Sequence, residues 1–264
     1  MADSRVTALY RYPVKGLSAE ELGKVSLKAG GTMPWDRAFA IENGTTDFDP
    51  SDPQYFPKTK FLMLAKNERL ATLETQFDDD SGTLTVLRRD KGGKAKQVAK
   101  GDITSRIGRQ LIEHFLTSYM EDDLRGPPRI VTVPDAAGAG FSFSDVPMKV
   151  LSLINMTSVR DLERVTGEPV DPLRFRGNVY VDDLPAWSEL EWENKTFSIG
   201  SLKVKGILRT QRCAATNVNP TTAKRDMNVP QTLRIGYGHM DMGLYCEVLE
   251  DGDLATGDVL TPPA

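Results

Sequence analysis

The chain has 264 residues, 39% of them hydrophobic, and 33 Lys and Arg stand against 37 Asp and Glu, giving a formal net charge of −4. This composition supplies a buried core and excludes a disordered chain, and the negative charge argues against generic electrostatic binding of nucleic acid. The first ten residues lack an apolar signal core, and no run of about 18 apolar residues occurs. The sequence therefore predicts no membrane span and a cytoplasmic location.

Short alternating stretches separated by turns occupy the first 90 residues, which is typical of a small β-barrel or sandwich. Strands are predicted at 6–12, 24–28, 37–42, 69–75 and 83–88, and the last two form a hairpin. The polar residues 90–101 predict an exposed turn. Residues 103–120 change to helical spacing, with an apolar stripe of Ile103, Ile107, Leu111 and Phe115. The small residues at 136–140 predict a loop or domain boundary.

The second half returns to strands around one helix. Strands are predicted at 130–133 and 150–154, and the helix that follows begins with the capping signal Ser158-x-x-Asp161 and ends at Gly167. Alternation then predicts strands at 178–181, 196–199, 202–205 and 244–249. No internal repeat occurs, which excludes a solenoid. The many short strands and few helices predict a β-rich α+β protein whose two parts pack closely.

Soft metal ligands are scarce in this chain. It contains only Cys213 and Cys246, with His114 and His239, so a four-cysteine iron–sulfur or zinc site and a disulfide framework are not expected. A redox centre would take one or two ligands from the chain and the rest from a cofactor. Cys213 lies near two arginines and a polar turn, which favours a thiolate if they face it, whereas Cys246 is predicted to be structural.

Basic residues stand at the ends of several predicted strands. They include Lys15, Arg37, Lys58, Lys60, Arg174 and Arg176. Each of them alone is most simply a solvated surface charge, whereas together they resemble anchors for an anionic ligand drawn from several loops. The spacing does not establish that they converge. No dinucleotide-binding, phosphate-loop, serine-hydrolase or zinc-protease motif is present.

Six motifs in order resemble the MOSC family (molybdenum cofactor sulfurase C-terminal domain), in the amidoxime-reducing branch that carries an N-terminal β-barrel domain. They are Tyr-Pro-Val-Lys-Gly at 12–16, Asp-Arg-Ala-Phe at 36–39, Phe-Ser-Asp at 143–145, Arg-Phe-Arg-Gly-Asn at 174–178, Arg-Cys-x-x-Thr at 212–216 and Gly-x-Tyr at 243–245. The resemblance implies a small β-barrel-like domain at 1–100, a helical and strand connection at 101–136, and a MOSC β-barrel domain with a few helices at 137–264.

The same resemblance implies a molybdenum–molybdopterin cofactor with Cys213 as the metal ligand and a catalytic residue. By motif position, Lys15, Arg37 and Arg176 would bind its phosphate, Asn178 and Thr216 would orient it, and Arg212 would contact the pterin or hold the cysteine loop. Lys58, Asn155 and Asp145 are further candidates for the site. Asp145 or a bound water is the candidate proton donor. Three positions depart from the family pattern: Arg174, Asn219 and Ala223 replace the usual Asn, Asp and Gly.

The implied activity is reduction of an N-hydroxylated small molecule with electrons from a separate electron-transfer protein, with no nucleic-acid or membrane partner. The alternative is a binding protein: a carrier of the molybdenum cofactor, or a sulfur relay that uses Cys213 as a persulfide without turnover. A third interpretation is a β-barrel protein with a buried cysteine and no cofactor.

Overall fold

The computed structural model describes residues 4–89, 94–134 and 141–263. These parts of the chain form a β-rich α+β fold, as predicted. The strands are β1 (Arg5–Arg11), β2 (Glu20–Leu22), β3 (Lys24–Leu27), β4 (Phe39–Asn43), β5 (Leu73–Asp78), β6 (Thr83–Arg89), β7 (Ala95–Asp102), β8 (Pro128–Thr132), β9 (Leu151–Asn155), β10 (Val179–Asp182), β11 (Thr196–Ile199), β12 (Leu202–Gln211), β13 (Asp241–Val248), β14 (Gly252–Ala255) and β15 (Leu260–Thr261). The helices are α1 (Arg106–Tyr119), α2 (Met156–Thr166) and α3 (Val229–Tyr237).

The largest sheet has the strand order β15-β11-β12-β13-β9-β10-β1-β2. Successive side chains on a strand point to opposite faces, so a strand that is covered on both faces contributes side chains to two cores. Leu153 and Val179 belong to a cluster on one face, whereas their neighbours Ile154 and Tyr180 belong to a cluster on the other. Helices α2 and α3 cover the second face, through residues such as Leu162. The two strands from the first 22 residues complete this sheet, although most of it comes from the second half of the chain.

Strand β3 pairs with β14, and its Val25 and Leu27 pack in the core of the large sheet. The paired strands β4 and β8, the three-stranded sheet β5-β6-β7 and helix α1 build a separate core. The predicted hairpin is present, but its first strand begins at Leu73 because residues 68–72 form a 3₁₀ turn. Residues 95–102, predicted as part of a turn, instead form the edge strand β7. Its polar sequence reflects an exposed edge that pairs only with β6. Residues 90–93 and 136–140, where a turn and a boundary were predicted, lie outside the described residues.

Helix α1 is present, but the predicted buried stripe is wrong. Ile107 and Leu111 are 74% and 56% exposed, whereas Ile112 and Leu116 are buried. The cause is a close approach at Gly108, where an added Cβ would lie 1.9 Å from the Asp102 carbonyl oxygen. That contact turns the face containing Gly108, Ile112 and Leu116 toward the sheet. A glycine therefore fixes the orientation that the apolar spacing alone does not.

Helix α2 begins three residues earlier than its predicted capping signal. Asn155 caps it, and the Asn155 side chain accepts a hydrogen bond from the Thr157 amide. Ser158 donates instead to the buried Glu189 carboxylate. The predicted end is confirmed, since Gly167 adopts a left-handed conformation with φ 74°. No helix in the described parts of the chain is long and apolar enough to cross a membrane.

Candidate functional site

A cavity of about 240 Å³ lies between the two halves of the molecule. It gathers nine of the ten candidate site residues: Lys15, Arg37, Lys58, Asp145, Arg176, Asn178, Arg212, Cys213 and Thr216. The tenth, Asn155, is fully buried outside this lining, where its amide group caps α2 and donates to Glu189 and to the Pro185 carbonyl. The structure therefore brings together residues that are up to 201 positions apart in sequence. Asn155 instead stabilises the start of helix α2.

Cys213 lies immediately beyond the end of β12 and opens a short 3₁₀ turn at 214–217. Thr216 holds this turn, because its backbone amide and its hydroxyl both donate to the Cys213 carbonyl oxygen, at 3.0 and 2.9 Å. The Cys213 thiol is partly exposed, and its Sγ lies 3.3 Å from Lys58 Nζ. Cys246 is buried in the sheet, where desolvation raises the pKa of its thiol, which confirms the structural role predicted for it.

Asp145 joins two lysines from the first half of the chain. Its carboxylate lies 2.5 Å from Lys15 Nζ and 3.3 Å from Lys58 Nζ. Partial burial alone would raise the pKa of Asp145, but the charges of the two lysines outweigh it and hold that pKa well below its usual range. The carboxyl is therefore ionised at neutral pH. This disfavours the predicted use of Asp145 as a proton donor and makes it an anchor that orients Lys15 and Lys58.

The Asp145→Asn variant is expected to change the acid stability of the protein. A lowered folded-state pKa stabilises the native state above the unfolded value of about 3.9, and this contribution is lost as the pH falls through the folded pKa. The free energy of unfolding of the wild type should exceed that of the variant by roughly 1 kcal/mol at neutral pH. The difference is this small because the Asp145 carboxylate is half exposed, so solvent screens its ion pairs. Urea unfolding at neutral pH and at acidic pH checks this. A difference in unfolding free energy that does not shrink in acid would contradict it.

Arg37 and Arg176 both lie against the ring of Tyr12, with guanidinium carbons 4.8 and 4.1 Å from its centroid. Arg37 pairs with Asp36 and donates to the Arg176 carbonyl oxygen at 2.9 Å. Arg176 Nη1 donates to the Leu17 carbonyl oxygen at 2.8 Å, while its Nη2 is buried and has no hydrogen-bond partner among the described residues. Burial lowers the pKa of Arg176 to about 10, and no carboxylate in the described parts of the chain forms an ion pair with this guanidinium.

Arg212 and Asn178 line the cavity but use their polar groups on the protein itself. Arg212 donates to the carbonyl oxygens of Met242 and Phe175, which ties the start of the cysteine turn to β13 and to the residue before Arg176. Asn178 accepts from the Ser152 amide and donates to the Tyr10 carbonyl, so it links β9, β10 and β1. Of the two roles proposed for Arg212, the geometry favours holding the loop.

Unpartnered polar atoms concentrate at this cavity. Among the described residues, six buried side-chain nitrogen or oxygen atoms have no hydrogen-bond partner, and four of them belong to residues that line it: Ser152 Oγ, Arg174 Nε, Arg176 Nη2 and Thr210 Oγ1. Such groups cost free energy unless a ligand or water satisfies them. Ser152 and Thr210 were not among the residues predicted from the sequence. The one available signal for Ser152 was a hydroxyl among the apolar residues of β9, which is weak because strands often carry one.

The three departures from the family pattern lie in one connected segment beside the cavity. Arg174 Nη2 and Asn219 Nδ2 both bind the Asp226 carboxylate, at 2.6 and 2.7 Å. The Asn219 side-chain oxygen also accepts from the amides of Thr221 and Thr222. An aspartate at position 219 would set two carboxylates against each other, so Asn219, Arg174 and Asp226 form a matched set.

Ala223 is the third departure, and it adopts a left-handed conformation with φ 56°. Glycine reaches this region without the steric cost that a Cβ imposes. The Ala223→Gly variant is therefore expected to raise the free energy of unfolding by about 0.5–1 kcal/mol. Chemical denaturation measures this. The matched Ala99→Gly change, on strand β7, should destabilise, and equal signs for the two variants would contradict the argument.

Comparison with known proteins supports the family that the motifs resemble. The model of the MOSC N-terminal beta barrel domain matches residues 3–123, and the model of the MOSC domain matches residues 140–261. Together the two matches extend over most of the sequence. The chain belongs to the family of proteins in which a MOSC N-terminal β-barrel domain precedes a MOSC domain.

Curated relatives include molybdenum cofactor sulfurases. The chain is 35% identical over 250 residues to that of Drosophila melanogaster, covering 89% of this chain and 30% of the relative. It is 22% identical over 253 residues to that of Homo sapiens, covering 86% of this chain and 28% of the relative. The chain thus spans less than a third of the length of these proteins.

Two solved structures are distantly similar. YiiM from Geobacillus stearothermophilus aligns over 42% of this chain and 52% of its own, with 18% identity and a TM-score of 0.33. The YUAD protein from Bacillus subtilis aligns over 98% of this chain and 94% of its own, with 12% identity and a TM-score of 0.44.

Proposed function

We propose that this protein binds a molybdenum–molybdopterin cofactor in the cavity and reduces N-hydroxylated small molecules with electrons from a separate electron-transfer protein. The observation that carries the proposal is the set of chemical groups that line the cavity. It combines a partly exposed thiol with buried cations and with four buried polar atoms that lack partners. This donor set fits a ligand that has a metal at one end and a phosphate at the other.

The residues divide between the two ends of such a ligand. Cys213 would supply a soft sulfur ligand to the metal, and Lys58 Nζ lies 3.3 Å from its Sγ. Arg176, Lys15 and Arg37 would hold the phosphate. Arg176 is the best suited of these, because among the described residues its Nη2 has no hydrogen-bond partner and no carboxylate pairs with its guanidinium.

The bound cofactor would supply two-electron redox chemistry, so that an N–OH group, two electrons and two protons give N–H and water. The chain positions the thiol through the Thr216 and Arg212 contacts and excludes bulk water by burying the cationic end. Because Asp145 stays ionised, bound water is the proton source that the proposal retains.

A second candidate is a carrier or sulfur-relay protein in which Cys213 holds a persulfide without turnover. The contact between Lys58 and Cys213 fits this candidate as well as the first, because an ammonium 3.3 Å from the sulfur can pair with a persulfide anion as it can with a metal-bound thiolate. The name of the curated relatives, molybdenum cofactor sulfurase, points in the same direction.

The two candidates are separated by metal analysis and turnover on one preparation. The protein is purified from a molybdenum-replete host, its metal content is measured, and an amidoxime is supplied with a reduced dye as electron donor. Stoichiometric molybdenum with catalytic amine formation supports the reductase. Molybdenum that passes to an acceptor apoprotein without amine formation supports the carrier. Protein that contains no molybdenum although the host makes the cofactor would overturn the reductase and the carrier, and would leave only the sulfur relay.

A further inference from the structure

Arg225 connects the two walls of the cavity from outside. Its Nη1 donates to the Ala214 carbonyl at 3.1 Å, directly beside Cys213. Its Nη2 donates to the carbonyls of Leu64 and Ala65, at 3.2 and 3.0 Å, and pairs with Glu68 at 2.8 Å. One guanidinium therefore joins the cysteine turn of the second half to a segment of the first half.

The position of Arg225 relative to the cavity follows from what it binds. Leu64 and Ala65 line one wall, and Cys213 lies on the other, whereas Arg225 is not part of the lining. A third of its side chain remains exposed to solvent. Arg225 thus lies at the rim, where it sets the separation between the wall that carries the thiol and the opposite wall.

The segment that carries Arg225 is itself firmly held. Val218 and Arg225 form an isolated antiparallel bridge, which closes residues 218–225 into a tight loop. The next residue, Asp226, binds Arg174 at 2.6 Å, and Arg174 Nη1 donates to the carbonyls of Thr216 and Asn217. Two adjacent residues of opposite charge therefore fasten the loop, one to each half of the molecule.

We propose that Arg225 is a specificity-determining residue that fixes the width of the cavity mouth and so limits the size of molecules that reach Cys213. A guanidinium can bind three carbonyls and a carboxylate at once because its donors form a planar fork, which a lysine cannot reproduce. The inference depends on the rim contacts alone, and its test needs no metal or cofactor.

The test measures how fast Cys213 is alkylated in the metal-free protein. Iodoacetamide serves as the small reagent and a maleimide attached to polyethylene glycol as the large one, and mass spectrometry assigns the modified cysteine. In the Arg225→Ala variant, the rate with the large reagent should rise about five-fold relative to the small one, because the lost contacts include a charge-assisted hydrogen bond. The Arg225→Lys variant should lie between this variant and the wild type.

The matched control is Lys224→Ala, which removes the neighbouring positive charge from an exposed side chain and should leave the ratio of rates unchanged. Labelling of the buried Cys246 reports general unfolding. If Arg225→Ala exposes Cys246, the lysine variant, which keeps the charge, decides the question. Equal acceleration with both reagents, or no acceleration with the large one, in a variant that keeps Cys246 protected would overturn the proposal.

Discussion

Replacing Cys213 with serine is expected to reduce bound molybdenum to background and to abolish metal-dependent turnover while the fold survives. A serine hydroxyl is a harder and far less acidic ligand than a thiol, so it does not replace the sulfur on a soft metal. The Cys213 side chain is partly exposed and packs in none of the three core clusters, so the change costs little stability. Metal analysis and a thermal melt of the same preparation measure the two effects.

The matched control is Cys246→Ala, which truncates a thiol in the core of the large sheet. This variant should lower the free energy of unfolding by about 1 kcal/mol, as other small core truncations do, and should retain molybdenum in its folded fraction. Full activity of the Cys213→Ser variant would contradict the assignment of Cys213 as the metal ligand. Equal metal loss in both variants would show that folding, not ligation, controls retention.

The Arg176→Met variant is expected to separate binding from stability. Arg176 is half-buried with its Nη2 fully buried, and no described carboxylate pairs with it, so its replacement by an apolar side chain of similar length should leave the unfolding free energy of the metal-free protein unchanged or higher. Cofactor retention should fall about ten-fold or more, because a charge-assisted hydrogen bond to the phosphate is lost.

Arg160→Met provides the comparison for that experiment, since Arg160 pairs with Asp182 at the exposed surface, away from the cavity lining. Retention of the cofactor should be unaffected in that variant, and its stability should change by no more than about 0.5 kcal/mol. A strongly destabilised Arg176→Met protein would show that the guanidinium supports the fold rather than a ligand.

Local patterns predicted most strands of this fold, because alternating apolar and polar residues mark a strand with one buried face, whichever strands it pairs with. They did not predict which side of α1 is buried. That choice depends on Gly108, whose missing side chain admits the close approach to Asp102. The start of α2 was displaced for a related reason: Ser158 and Asp161 serve tertiary contacts, with Glu189 and with Trp187, instead of capping the helix. Tertiary contacts overrode the local signal in both cases.

The candidate site, like the fold, was predicted only in part from local sequence. The resemblance named nine of the residues that line the cavity, eight of them within its motifs, but the spacing of basic residues left open whether they converge. Convergence depends on long-range pairing, such as β1 with β10, which brings the segment after Tyr12 beside Arg176. Asn155 lies outside the lining because its side-chain oxygen caps α2 and its side-chain nitrogen donates to Glu189. Ser152 and Thr210 were missed because a lone hydroxyl on a strand is an ordinary feature of sheets.

The pairing of β1 with β10 also has a consequence for how the chain acquires its structure. Val6 lies opposite Val181, so β1 cannot pair with β10 until about two thirds of the polypeptide has left the ribosome. Contacts of such long sequence separation slow folding, and until they form the unpaired edge of β1 can pair with other molecules. Nascent chains should therefore be prone to aggregation, and the two halves expressed as separate fragments should recover solubility when produced together.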